Sequence, residues 1–595
     1  MSKQCRARGM TSVMIYRAAW CEAPAGLPAV QKPITHSRVP LLSVTRTLSI
    51  IMPELTRRKL AQCLLAQSVL SPYRLVEGAA KGLAVSGAIV LSADQVFAQN
   101  LAQAADPATK RVPKFEYDDV VRRARDLAAA PYESEPPPLP EVLSTLDFDA
   151  WRDIRFRPDQ AFLKEPGSMF RLQLFHLGHL YRWPVTVNIV KDGMATPIPY
   201  SASLFDYGRT KLNKRLPVNL GFAGFRLHFP INAPNVFDEV IAFLGASYFR
   251  FLGRNQRYGI SARGLTVNAG TDKEEFPVFR EFWIESPTPN SEHVTIYALL
   301  DGAAATGAYR FDLYPGRDSE LEVTATLFPR KQAVKFGLAP LTSMFFVGEN
   351  DHRFNEDFRR ELHDSDGLLL NSATGEWIWR PLRNPLHAEV SSFLDQNLRG
   401  FGLLQRDRNF DHYQDLDLAY ELRPSYFVVP HGNWGAGRVE LAELPTLDEA
   451  HDNVVASFVP KDAPTAGSSF SYRITSSLSF ERLSPNGRVV NTFQTTARAL
   501  GAPEPVVPGS RRFIIDFAGG DLAYYAQDPQ VVEVVPTTTQ GRILRAFVVP
   551  NSHIKGFRAI IDLELAAGQS TDLRAFLRMG TRALTETWTY PWRAA

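Results

Sequence analysis

From about residue 170 onward, the sequence consists mainly of short runs rich in β-branched and aromatic residues, with Gly, Pro, Asn or Asp near their ends. Such runs predict β-strands that are closed by turns. Because these short strands show little sustained 3.6-residue periodicity, we expect an all-β fold, either a sandwich or a barrel. The clearest predicted strands are Trp183–Val190, Val278–Glu285, His293–Leu299, Tyr309–Tyr314 and Leu321–Phe328.

Two segments predict helices instead of strands. Tyr117–Ala130 has helical character, and the prolines at 136–138 and 140 prevent the helix from continuing. We expect a second helix over Asn235–Phe243, where it would interrupt the series of predicted strands. Both would be minor elements of a protein built mostly from sheets.

The length of 595 residues predicts two or three folded units. A stretch rich in turn-forming residues, near 480–510, marks the predicted boundary. The short strands predicted after it have the spacing of a small immunoglobulin-like sandwich. We therefore expect a large N-terminal β domain, a sandwich or a barrel, over residues 107–482 and a C-terminal immunoglobulin-like domain over residues 490–595. The strands predicted in the second domain are Arg511–Phe517, Gln530–Pro536, Arg542–Val549, Phe557–Leu563 and Thr571–Arg578.

Charge and cysteine content exclude several classes of function. Residues 99–595 carry 54 Lys and Arg against 59 Asp and Glu, so they lack the basic excess of a nucleic-acid-binding protein. The three cysteines, Cys5, Cys21 and Cys63, all precede residue 99. The rest of the chain therefore cannot form a disulfide, a thiolate zinc site or a cysteine nucleophile.

Residues 1–98 predict an upstream extension followed by an export signal. Thr56–Leu60 contains a twin-arginine pattern, and Met52 just before it is a plausible start. The apolar stretch Gly82–Ala93 is too short to span a bilayer, and Val96–Ala98 places small residues where signal peptidase needs them. We expect the mature protein to begin near Gln99 in the periplasm, after export by either the Tat or the Sec route. Later segments are not apolar enough for a membrane span.

Carboxylates in aromatic-bordered loops are the main chemical signal. They suit sugar chemistry, which uses carboxyl groups as acid and base and aromatic faces against pyranose rings. The alternative is that loop aspartates cap turns, and spacing alone does not choose a catalytic pair. Asp364–Gly367 resembles the start of a calcium loop, but Leu368 stands where an oxygen ligand is needed. We predict neither a metal nor a cofactor.

Many short stretches follow one another in a distinctive order along the chain: Asn219–Phe225, Leu244–Arg250, Ser261–Gly264, Lys273–Pro277, Tyr297–Asp301, Thr306–Tyr309, Leu341–Met344, Phe346–Asn350, His363–Asp366, Gly375–Leu382, Phe401–Gln405, His412–Asp415 and Glu586–Trp588. In this order they resemble the OpgG/OpgD family, also called MdoG/MdoD. The resemblance implies a large β-sandwich joined to a small immunoglobulin-like one, and action on osmoregulated periplasmic glucans. Some members resemble anomer-inverting enzymes for β-1,2-glucan, and the twin arginine favours the D branch.

The resemblance also assigns roles to particular residues. It implies that Asp452, within Glu449–Val455, is the general acid and that Asp364 is the base-side carboxylate, acting through a relay of water or sugar hydroxyls. Asp448 lacks the family context. The residues predicted to bind substrate are Trp377, Arg380, Tyr413, Asp415 and Trp434.

Two functions of different classes follow from these features. The first is an enzyme that acts on β-1,2-glucan, as a hydrolase or as a transglycosylase. The second is a non-catalytic glucan-binding or scaffold protein of the same pathway. The expected partners are β-1,2-glucan and other glucan-pathway proteins, with no nucleic acid and no stable membrane span.

Overall fold

Strands account for most of the regular structure. The computed structural model describes residues 114–210, 216–331, 334–353, 357–481, 483–498 and 506–594. The predicted export segment and the three cysteines lie outside the described residues. The described helices are α1 Tyr117–Ala129, α2 Glu141–Ser144, α3 Phe148–Arg152, α4 Phe410–Tyr413 and α5 Leu522–Tyr525, with 3-10 turns at Pro158–Gln160, Ala202–Leu204, Tyr420–Leu422 and Pro529–Val531.

The first half of the described chain builds most of two large sheets. The predicted strand Val278–Glu285 appears with the same bounds, and the other four strands predicted here appear with small shifts at their ends. The strands are β1 Arg155–Phe156, β2 Arg171–Phe175, β3 Thr186–Lys191, β4 Met194–Pro197, β5 Phe205–Asp206, β6 Gly224–Ala233, β7 Val236–Leu244, β8 Tyr248–Phe251, β9 Ser261–Arg263, β10 Thr266–Val267, β11 Val278–Glu285, β12 Val294–Asp301, β13 Ala305–Tyr314, β14 Ser319–Pro329 and β15 Phe336–Ser343.

The second half completes these sheets and adds a smaller one. All five strands predicted near the C terminus are present, so the all-β prediction is confirmed. The strands are β16 Phe345–Val347, β17 Leu362–His363, β18 Gly367–Asn371, β19 Trp377–Pro381, β20 Glu389–Asp395, β21 Gly400–Leu404, β22 Ser425–His431, β23 Gly437–Glu443, β24 Val454–Pro460, β25 Ser468–Ser477, β26 Arg488–Thr496, β27 Ser510–Ala518, β28 Glu533–Thr538, β29 Arg542–Asn551, β30 Gly556–Glu564, β31 Ser570–Met579, β32 Arg582–Ala583 and β33 Thr587–Arg593.

The prediction of a helix over Asn235–Phe243 was wrong. Val236–Leu244 is strand β7, which forms a tight antiparallel hairpin with β6, with Ala233 opposite Val236. Its last five residues are all buried, because β7 lies inside a sheet that is covered on both faces. A strand buried on both faces loses its polar–apolar alternation, so its sequence resembles that of a buried helix. The predicted helix over Tyr117–Ala130 is confirmed as α1.

The two large sheets enclose the main core, and one of them continues into the C-terminal strands. The first runs β2-β6-β7-β8-β9-β15-β24-β23-β20, with β10 attached to β15. The second runs β28-β31-β33-β19-β18-β21-β22-β25-β14-β13-β12-β11-β3-β4, with β32 attached to β31. A separate sheet, β26-β27-β30-β29, belongs to the C-terminal region. The parallel pairing of β19 with β33 joins the N-terminal and C-terminal strands into one sheet.

This shared sheet has a hydrophobic core on each face. Leu368 and Leu370 of β18 belong to the main core, whereas Leu369 belongs to the C-terminal core. Side chains alternate between the two faces of a strand, so three consecutive leucines are buried against two different cores. The division at residues 482–490 stays a prediction, since all the described residues belong to one compact unit. Within the described residues, no helix is both long and apolar enough to cross a membrane.

Candidate active site

The chain at the two predicted catalytic carboxylates, Asp364 and Asp452, is hydrogen-bonded to the same short segment, Ser343–Phe345. The amide of Asn453 donates to the first carbonyl of this segment, with N and O 3.1 Å apart. The amide of Asp364 donates to the next carbonyl, at 2.8 Å. The Asn453 side chain adds a second tie, because its Oδ1 accepts from the last amide of the segment at 2.8 Å. The fold therefore brings the backbone segments that carry both carboxylates to one place, the end of β15.

Asp364 is fully buried and lies against a cation. The Arg423 guanidinium donates a hydrogen bond to Asp364 Oδ1. Arg423 in turn lies over the ring of Tyr420, with its Cζ 3.8 Å from the ring centroid. Next to Asp364, the hydroxyl of Ser365 is hydrogen-bonded to that of Ser343 at 2.6 Å. The hydrogen bond from Arg423 to Asp364 is charge-assisted, and such a bond fixes and stabilises the ionised form of a carboxylate.

Asp452 is also buried, with 5% of its surface exposed. The guanidinium of Arg250 lies beside it, with Nη2 3.9 Å from Asp452 Oδ2. Arg250 Nε donates to the hydroxyl of Ser261 at 2.6 Å. A second cation, Arg263, interacts electrostatically with Asp452. Arg263 also forms an ion pair with Glu274, with Nη1 and Oε1 2.8 Å apart. Two guanidinium groups thus face this carboxylate from the neighbouring strands β8 and β9.

Asp448 differs from Asp452 in both burial and role. Its side chain is 54% exposed and accepts from the amide of Ala450 at 2.9 Å. It also contacts His451 Nδ1 at 2.6 Å. These are the bonds of an aspartate that caps a turn. Asp448 is therefore a suitable control for substitutions at Asp452.

A network of polar side chains joins the loop of Asp452 to the surroundings of Asp364. The hydroxyl of Tyr420 donates to Glu449 Oε2 at 2.6 Å, and Glu449 lies in the loop that leads to Asp452. Arg359 bridges Glu449 and Asp415, with N–O distances of 3.0 and 2.9 Å. Tyr420 therefore contacts the Asp452 loop through its hydroxyl while its ring packs against the arginine that holds Asp364. Asp415, predicted to bind substrate, lies in this network.

His363, directly before Asp364, carries a positive charge at neutral pH. Its Nδ1 is 2.7 Å from Gln405 Oε1, and its Nε2 is 2.9 Å from Glu361 Oε2. Burial lowers the pKa of His363, but the hydrogen bond and charge of Glu361, with the charge of Asp366, raise it to about 9. Gln405 also donates to the hydroxyl of Tyr413 at 2.9 Å, so this buried tyrosine helps to fix the glutamine that contacts His363. Tyr413 was predicted to bind substrate.

Two further carboxyl groups in this region have raised pKa values. Burial raises the pKa of Glu349 well above its usual range, and the charges of Glu361 and Asp366 add to the effect. Burial likewise raises the pKa of Asp366. The buried region around Asp364 thus holds more carboxyl groups than can be ionised together at a low cost in free energy.

Three side chains offer donor atoms close enough together for a metal ion. Glu361, Asp407 and His412 each place one donor atom within 4.8 Å of the others, and we name them the three-donor cluster. In the described structure, His412 Nδ1 contacts Asp407 Oδ2 at 2.5 Å and lies 3.7 Å from Glu361 Oε1. These contacts already form a hydrogen-bonded set among themselves. The sequence-based prediction of no metal stays a prediction.

Arg380 and Trp377, both on β19, make their contacts inside the protein. Arg380 is buried and pairs with Glu443 at 2.6 Å. Trp377 is half-buried and packs against Phe427, with ring centroids 6.0 Å apart, beside the C-terminal core. Their assignment to substrate binding stays a prediction.

Trp434 lies in the main core, away from the two catalytic candidates. Its Nε1 donates to the carbonyl of Ser471 at 3.2 Å, and its ring packs against Phe458 at 5.3 Å. Phe458 lies near the far end of β24 from Asp452, roughly 20 Å away along a strand that rises about 3.3 Å per residue. The structure therefore does not bring Trp434 together with Asp364 and Asp452, and its role in binding stays a prediction.

Sequence reasoning did not select Tyr420, Arg423 or Glu449, although all three contact the candidate site. Glu449 belongs to the stretch that matched around Asp452, and so it could have been selected there. Tyr420 and Arg423 lie in an ordinary Tyr-Glu-Leu-Arg turn with no motif of its own. Only their three-dimensional contacts identify them.

The fold and the site define a class of protein. It is mostly β-sheet and has two buried carboxylates that are joined by a network of charged and aromatic side chains. Comparison with known proteins gives the family. A family model described as "Periplasmic glucan biosynthesis protein, MdoG" matches residues 115–592, so the chain belongs to the MdoG family.

Relatives of both branches of the family match over most of their lengths. Glucans biosynthesis protein G of Ralstonia nicotianae is 46% identical over 80% of this chain and 95% of its own length. Probable glucans biosynthesis protein D of Shewanella oneidensis is 43% identical over 85% of this chain and 94% of its own length. Glucans biosynthesis protein D of Xanthomonas campestris pv. campestris is 43% identical over 80% of this chain and 90% of its own length. These identities are too similar to separate the D branch from the G branch.

Proposed function

We propose that this protein acts in the synthesis of osmoregulated periplasmic glucans by cleaving or rearranging β-1,2-glucan with inversion at the anomeric carbon. The observation that carries the proposal is that Asp364 and Asp452 are both buried, and that Asp364 and Asn453, the neighbour of Asp452, are both hydrogen-bonded to Ser343–Phe345. An inverting reaction needs one carboxylic acid and one carboxylate base that reach the same glycosidic bond from opposite sides.

The contacts of each carboxylate support its role. Arg423 stabilises the ionised form of Asp364, as a base requires. Asp452, which is buried, would protonate the leaving oxygen. Asp364 would activate the nucleophile through a water or a sugar hydroxyl. Tyr420 and Glu449 would keep the two loops in a fixed relation.

Hydrolysis and transglycosylation differ only in the nucleophile. If water attacks the anomeric carbon, the glucan is shortened. If a hydroxyl of a sugar attacks, a new glycosidic bond forms, and attack within one chain gives a ring. The two carboxylates would have the same roles in both reactions.

The decisive experiment is to incubate the purified protein with linear β-1,2-glucan and to measure product masses. Shorter linear chains indicate a hydrolase, and products that lack one water indicate a cyclising transferase. Glucan that binds but stays unchanged indicates a scaffold protein and contradicts the proposal. Asp452→Asn and Asp448→Asn serve as the catalytic variant and its matched control.

The proposal includes the location of the protein. An export signal that ends at Ala98 would deliver a mature chain beginning at Gln99 to the periplasm, where these glucans are found. The twin arginine supports the D branch. The glucan itself is the proposed partner, together with other proteins of the pathway.

A further inference from the structure

Glu586 is a buried carboxylate of the C-terminal region, just before β33, and lies in one of the stretches that match the family. Its side chain is 1% exposed. Both of its oxygens accept from the guanidinium of Arg406, at 2.6 and 3.1 Å. The amide of Val489 donates to Glu586 Oε1 at 2.8 Å, and Arg406 donates to the Val489 carbonyl at 2.7 Å. The Glu586–Arg406 pair is therefore bidentate, and each partner also makes a hydrogen bond with the backbone of Val489.

The ring of Trp379 fixes the remaining face of Arg406. The Arg406 Cζ lies 3.6 Å from the centroid of this ring. Trp379 belongs to β19, the strand that pairs in parallel with β33, and it faces the C-terminal core. The Arg406 side chain is thus anchored to the C-terminal half of the shared sheet, although its backbone follows β21 of the N-terminal half.

The backbone around Arg406 holds the residues on both sides of Asp364. Gln405 donates from Nε2 to the carbonyl of His363 at 2.9 Å, and its Oε1 contacts the ring of His363. The amides of Arg406 and Asp407 both donate to one oxygen of Asp366, at 2.9 and 3.0 Å. The chain on each side of Asp364 therefore depends on where residues 405–407 lie.

We propose that Glu586 and Arg406 are positioning residues, through which the C-terminal strands set the placement of the base-side carboxylate Asp364. This inference rests on the proposed function for its effect on turnover. The C-terminal region would then be part of the catalytic apparatus rather than a separate binding module. Catalytic groups must be held to within about 0.5 Å, and a misplacement of about 1 Å costs as much as 100-fold in rate.

The test compares two buried carboxylate–arginine pairs in the C-terminal region. Glu586→Gln removes the bidentate pair that leads to Asp364. Asp516→Asn removes a pair of the same geometry, since Asp516 is buried and accepts from Arg558 at 2.7 and 2.8 Å, but it lies on β27 of the separate sheet. Both variants lose a buried ion pair, and only the first is linked to residues 405–407.

We expect Glu586→Gln to lower kcat roughly 10-fold to 100-fold on β-1,2-glucan with little change in KM. Asp516→Asn should leave kcat per folded molecule near that of the wild type. Arg406→Lys keeps the charge but cannot make the bidentate pair, so it should give an intermediate loss. It also serves as the test if Glu586→Gln does not fold.

Hydrogen exchange gives a readout that does not depend on activity. Amides of residues 363–367 should exchange faster in Glu586→Gln or Arg406→Lys than in Asp516→Asn. Unchanged exchange at these amides, or an unchanged kcat, would overturn the inference. A wild-type protein that leaves glucan intact would instead overturn the proposed function, and the exchange experiment would still decide whether Glu586 positions the Asp364 segment.

Discussion

Replacing Asp452 by Asn tests the proposed mechanism most directly. The general acid must carry a proton to the leaving oxygen, and an amide of the same size cannot deliver it. General acid–base steps contribute roughly 100-fold to 10,000-fold in rate, so kcat should fall by that factor. At about 1.4 kcal/mol for each tenfold, the loss amounts to about 3 to 6 kcal/mol of transition-state stabilisation.

The structure predicts that this loss is not a loss of folding. Asp452 is buried, but the anchors of its loop are the backbone and side chain of Asn453, which the substitution leaves in place. We therefore expect a cost on the order of 1 kcal/mol in the free energy of unfolding, with glucan affinity retained.

The assay measures turnover, glucan affinity and melting temperature for Asp452→Asn and for Asp448→Asn. The control removes a carboxylate that is 54% exposed and caps a turn, so it should cost about 1 kcal/mol of stability at most and keep its activity. A stable, active Asp452→Asn protein, or one that is only less stable, would remove Asp452 from the mechanism.

The remaining predictions concern export, metals and pH. N-terminal sequencing of periplasmic extracts should find a chain that begins near Gln99, whereas a start at residue 1 or at Met52 would contradict the export signal. EDTA should leave activity intact, and a loss restored by one particular metal would instead give the three-donor cluster a functional role. Because the pKa of His363 is raised from 6.5 to about 9, its protonation stabilises the folded protein fully below pH 6.5, and this stabilisation should be lost as the pH rises toward 9. The fall in melting temperature over that interval should be smaller in His363→Gln, and an equal fall would refute the linkage to this residue.

Local patterns in the sequence determined the all-β architecture, because a strand with one buried face alternates polar and apolar residues. The pattern failed at Val236–Leu244, where neighbouring strands and a second layer bury both faces. It also could not show that Leu368 and Leu369 face different cores, since both are simply apolar. Whether a strand is covered on one face or on two depends on its neighbours, which are distant along the chain.

The candidate site likewise contains residues that the sequence could select and residues that only the tertiary structure identifies. Asp364 and Asp452 could be selected from the sequence, because each lies in a short stretch that matches the family. Their partners could not, because the contact of Arg423 with Asp364 and that of Glu449 with Tyr420 join residues far apart in sequence. Glu586 reaches the same region only through the pairing of β33 with β19. The sequence by itself therefore determined the strands and selected the two candidate carboxylates, whereas tertiary packing decided which side chains contact these residues, since hydrogen bonds depend on distance in space.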